Sequence, residues 1–143
     1  MSTYFRSTVT ALACAAALAL ASPAMAAMVN FKADMKAASE VPPNDSKGTG
    51  AVTATYDSAS KKLSWKGTYK DLSGPATAAH FHGPAEAGKN ADVMVPISPA
   101  TSPFEGSATL TDEQANALMA GTLYVNVHTA ANKGGEIRGQ LTK

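Results

Sequence analysis

The residues in this chain best suited to chemistry are its three histidines, and two of them stand one residue apart in His80-Phe81-His82. In an extended strand, residues i and i+2 point to the same face, about 6.6 Å apart along the chain. Two imidazoles so placed can converge on one ion, while Phe81 between them turns the other way, into a core. The third, His128, closes a second strand-like run, Leu123-Tyr124-Val125-Asn126-Val127-His128. Val125 and Val127 are the natural core residues of that run. His80, His82 and His128 therefore all take outward faces, and they form one site if the two strands are neighbours.

Three histidines without a thiolate make a borderline ligand set that suits copper or zinc and leaves a coordination position open. Met94 is a candidate soft ligand, although a strand methionine more often fills a gap in a core. Tyr124 and Asn126 share the face of His128 and can support it from behind. In a purely structural role, the same histidines would be surface polar groups or would hold loops by bonding backbone. Glu136 and Arg138 alternate on one face of the last strand, where they pair or cap loops. No serine–histidine–carboxylate spacing, phosphate loop or Gly-x-Ser-x-Gly elbow occurs.

The elements that must position these residues begin after residue 26. Arg6 supplies a short positive region, 9–21 is an uncharged apolar run, and Ala24-Met25-Ala26 matches the small-x-small rule for signal-peptide cleavage. Residues 1–26 are thus expected to be a signal peptide, and 27–143 an exported single domain, periplasmic or secreted. The apolar run is too short to span a membrane, and nothing after it is apolar for long enough, so no membrane insertion is expected after cleavage. Cys14, the one cysteine, lies inside the signal in a poor lipobox context. Its removal leaves no disulfide, cysteine–zinc site or blue-copper thiolate. Without Arg6 the chain carries 11 basic and 11 acidic residues, scattered, which excludes a nucleic-acid footprint.

Beyond residue 26 the hydrophobic period is mostly two, which predicts strands. Val29, Phe31, Ala33 and Met35 alternate with polar residues, and Val41-Pro42-Pro43 then interrupts the pattern because prolines cannot donate to a ladder. Runs at 50–56 and 62–70 flank the polar turn Asp57-Ser58-Ala59-Ser60, a hairpin in which Trp65 anchors the core. Further strands are predicted at 77–82, 92–97, 104–110, 123–128 and 136–141. Thr111-Asp112-Glu113-Gln114 is a capping box that opens one short helix ending near Gly121. About eight short strands with one helix predict an all-β fold, an antiparallel Greek-key β-sandwich or barrel.

Several ordered motifs resemble one family, the CHRD domain, named after the extracellular protein chordin and common in exported bacterial proteins. They are Glu40-Val41-Pro42-Pro43, the run from Leu72 through His80-Phe81-His82-Gly83-Pro84-Ala85, Leu123 to Thr129, and Asn132-Lys133-Gly134-Gly135-Glu136-Ile137-Arg138-Gly139-Gln140-Leu141. The resemblance covers essentially the whole of 27–143. Lys133 stands where a proline is usual, and Glu86 and Lys89 charge the loop after Pro84.

The histidine arrangement is also similar to that of copper–zinc superoxide dismutases, which use a His-x-His strand, a later strand histidine and an arginine beside the copper. That likeness implies a superoxide-dismutase-like barrel, copper as the metal with zinc as the alternative, and Arg138 as a catalytic candidate. No fourth histidine exists to bridge two metals. Carbonic anhydrases hold zinc with a comparable set, so the motif signals a metal before it signals which one. Copper binding or buffering through His80, His82 and His128 is the leading expectation. A mononuclear dismutase-like copper oxidoreductase and a metal-free extracellular module for an unnamed protein partner are the alternatives.

Overall fold

A computed structural model describes residues 26–143. The expected signal peptide, with Arg6 and Cys14, lies outside the described residues apart from its last position. The chain forms β1 (Met28–Lys36), a 3-10 turn (Ala37–Ser39), β2 (Thr49–Asp57), β3 (Lys62–Lys70), β4 (Ala76–His82), β5 (Val93–Ile97) and β6 (Phe104–Thr109). Helix α1 (Asp112–Met119), β7 (Tyr124–Thr129) and β8 (Ile137–Gln140) complete it.

All eight strands join one antiparallel sheet in the order β5-β4-β7-β8-β1-β2-β3-β6. The sheet curls until its end strands β5 and β6 approach each other, giving a nearly closed barrel. Among the described residues the chain adopts the predicted all-β Greek-key class with one helix, because the period-two pattern leaves most strands one face to bury. In β1, Phe31, Ala33 and Met35 are buried and the residues between them exposed. Asp57 builds the β2–β3 turn by accepting from the Ala59 amide (2.9 Å) and the Ser60 hydroxyl (2.8 Å). The capping box forms as predicted: the Thr111 hydroxyl accepts from the Gln114 amide, and the Gln114 side chain accepts from the Thr111 amide.

Trp65 is buried in the barrel, edge-on to Phe81 with ring centroids 5.1 Å apart. Such a pair contributes about 0.5–1.5 kcal/mol beyond its buried area. It matters for the site because Phe81 lies between His80 and His82: the ring that locks β4 to the core turns both imidazoles outward. Val125 and Val127 do the same for β7.

Candidate metal centre

β4 and β7 are direct antiparallel neighbours, with Ala78 opposite His128, His80 opposite Asn126 and His82 opposite Tyr124. Side chains directly across such a ladder share a face, as do residues two apart along each strand. The three histidines therefore gather on one outer face. His80 Nδ1 lies 3.1 Å from His128 Nε2. One potential ligand atom from each of His80, His82 and His128 falls within 4.8 Å of the others, so the group could hold a metal ion. Two imidazole nitrogens about 2.0 Å from one tetrahedral ion stand about 3.3 Å apart. The His80–His128 gap fits shared ligation as well as it fits a hydrogen bond.

Loops fix the ring orientations. His82 Nδ1 lies 3.0 Å from the Ala91 carbonyl, and His128 Nδ1 lies 2.9 Å from the Lys133 carbonyl. A carbonyl can only accept, so each ring carries a proton on Nδ1, and Nε2 is the nitrogen a neutral ring would present to a ligand. This outer support is what ligating histidines ordinarily have. The faces are less open than strand parity alone implies: His82 is only 8% exposed, because the 83–92 loop folds over it. Its ring stacks on Tyr124 at 4.9 Å and an interplanar angle of 2°. The Tyr124 hydroxyl meets the Ala91 amide at 3.2 Å and its carbonyl at 3.3 Å, so His82 and Tyr124 grip the same peptide.

Burial pushes the His82 imidazole below its ordinary value; His128 and Arg138 add to that fall, while the Ala91 carbonyl and nearby Asn126 oppose it. Burial likewise lowers His80, reinforced by His128 and His82. Both rings are accordingly neutral at neutral pH, the form that can donate a lone pair.

Arg138, on β8, is 2% exposed and already engaged. Its guanidinium lies 3.4 Å over the Tyr124 ring, Nη1 donates to Asn90 Oδ1 at 3.0 Å, and Nη2 donates to the Lys89 carbonyl. It supports Tyr124 and the loop that covers His82. Glu136 does not pair with Arg138 but caps loops, accepting from Ser46, the Ser73 amide and hydroxyl, Thr129 and Asn132. Burial alone would raise its carboxyl, but the Ser46, Ser73 and Thr129 hydroxyls outweigh that and bring it down to about 2. Met94 packs against the core, and its carbonyl accepts from Gln114.

Glu40 is the residue that reading the sequence missed. It lies at the start of the proline break, yet it is 5% exposed and sits beside Asn126 in the polar layer behind the histidines.

A family model described as the CHRD domain matches residues 31–141. No curated protein and no solved structure matches the chain.

Proposed function

This chain belongs to the CHRD domain family, and for it we propose an exported copper-binding, copper-buffering protein whose single metal centre is His80, His82 and His128. The observation that carries the proposal is the convergence of one ligand atom from each histidine within 4.8 Å. The carbonyls of Ala91 and Lys133 support it by directing Nε2 of His82 and His128 away from the loops. The set holds three nitrogens and no thiolate, which suits Cu(II) and, as the alternative, Zn(II). When bound, such an ion would supply a Lewis-acidic centre.

The protein's own groups supply the rest. Neutral rings of His80 and His82 are ready to bind without first losing a proton to solvent. His80 Nδ1 faces His128 Nε2, so His80 would hold an ion through Nδ1 with its own proton on Nε2. Tyr124 and the 83–92 loop shield His82 from water. Catalysis lies outside the proposal: Arg138 is 2% exposed, and its Nη1 and Nη2 each donate to the 83–92 loop, at Asn90 and Lys89.

The test is a titration of the protein with copper and zinc beside His80→Ala, His82→Ala and His128→Ala. One-to-one binding that each substitution abolishes is expected. Binding that survives all three would refute the centre.

A further inference from the structure

The layer behind the histidines contains more lone pairs than protons. Asn126 stands at its middle: it is opposite His80 across the ladder, two residues from His128 on β7, and beside His82. It is 2% exposed, and its Oδ1 has no hydrogen-bond partner. His82 Nε2 is equally buried and also without a partner. Since His82 Nδ1–H donates to the Ala91 carbonyl, Nε2 of the neutral ring is an acceptor, as is the amide oxygen. Buried polar atoms are nearly always paired, so neighbouring orphans call for an explanation. Two adjacent acceptors are satisfied together by a cation between them.

The amide orientation has its own structural cause. Asn126 Nδ2 donates to the Gly134 carbonyl at 3.5 Å. A Cβ added at Gly135 would strike both Asn126 Nδ2 and Glu40 Oε1, so the bare Gly135 backbone is what lets those two side chains sit together. Gly135 also holds φ at +132°, where other residues are strained. With its NH2 end beside the Glu40 carboxyl, the amide presents oxygen to the histidines. Reversal would set that oxygen against the oxygens of Glu40.

We propose that Asn126 is a fourth protein ligand of this centre, its Oδ1 completing a three-nitrogen, one-oxygen set for a divalent ion, with Glu40 as the positioning residue that keeps the amide turned. The inference rests on the proposed centre and names its preference. An amide oxygen is a hard donor, so it strengthens Cu(II) or Zn(II) and does little for Cu(I).

The experiment compares Asn126→Leu, which removes the donor at similar size, with Asn126→Asp, which keeps an oxygen. Cu(II) and Cu(I) affinities are measured by chelator competition, and the Cu(II) forms are examined by electron paramagnetic resonance. Asn126→Leu is expected to weaken Cu(II) roughly 10–100-fold, to change Cu(I) by under about threefold, and to alter the g values and copper hyperfine splitting. Asn126→Asp is expected to restore Cu(II) binding. Unchanged Cu(II) affinity and spectrum in Asn126→Leu would overturn the assignment. So would equal losses for both ions with a lowered melting temperature, which would make Asn126 structural. These outcomes differ from failure of the centre itself, in which wild type binds no ion or the histidine variants bind as tightly as wild type; the fourth ligand would then fall too.

Discussion

His80 Nδ1 and His128 Nε2 stand 3.1 Å apart, although 48 residues separate them along the chain. The β4–β7 ladder brings them together, and the Lys133 carbonyl orients the second ring. A bound ion would replace this contact with two bonds and tie the strands further. Metal should therefore raise the melting temperature of wild type. A ligand that binds only the folded state at about 100 times its dissociation constant adds about 2.7 kcal/mol. His128→Ala should abolish that shift, as scanning calorimetry with and without copper would reveal; an equal shift in the variant would place the ion elsewhere.

Acidification should weaken the metal-free fold through the same rings. His80 and His82 have folded values below the ordinary 6.5. The unfolded chain therefore takes up protons first as pH falls. Their contribution is complete above about 6.5 and is lost as pH drops through the lower folded values. Glu40 has the opposite sign: burial, partly offset by Arg138, raises its carboxyl, so its contribution is lost as pH rises through the folded value. Melting profiles of wild type and a His80→Ala/His82→Ala double variant should converge as pH falls below about 6.5. Parallel curves would contradict this.

Glu136 should govern stability at lower pH. Its folded value of about 2 lies below the ordinary 4.5, so its contribution is present above about 4.5 and lost as pH falls towards 2. Glu136→Gln should cost about 1.5–3 kcal/mol at neutral pH, the usual size of a hydrogen bond to a charged group. The loss should shrink in acid. Urea unfolding at neutral and acidic pH measures both, and a pH-independent loss would count against the charged network.

Gly135→Ala should destabilise the site, because Gly135 is buried against it. The added Cβ meets Glu40 and Asn126, and φ of +132° is strained for alanine. A loss of roughly 1–3 kcal/mol is expected, together with weaker metal binding. A neutral substitution would mean that the Glu40–Asn126 contact is dispensable.

Export is tested by mass. Protein recovered from the periplasm or medium of a bacterial host should begin at Ala27. Retention in the cytoplasm with Met1 to Ala26 attached would refute the proposed signal peptide.

Much of the barrel could be read in advance, because period-two burial is a local property. Phe31, Ala33 and Met35 in β1, and Phe81 between two histidines, declare their faces through their neighbours alone. The outward parity of His80, His82 and His128 followed from the same rule. Strand order is non-local, and the pairing of β4 with β7 emerged only in the fold. Loop cover is harder still. Nothing within 83–92 announces that the Ala91 carbonyl meets His82, or that Asn90 and Lys89 engage Arg138. Glu40 is buried by elements distant in sequence, so its part beside Asn126 became visible only in three dimensions.

The most direct measurement is a crystal structure of the copper-loaded protein with anomalous data collected at the copper edge. A single peak within bonding distance of His80 Nδ1, His82 Nε2 and His128 Nε2 is the expected result. A peak elsewhere, or copper touching fewer than three of these nitrogens, would contradict the three-histidine centre.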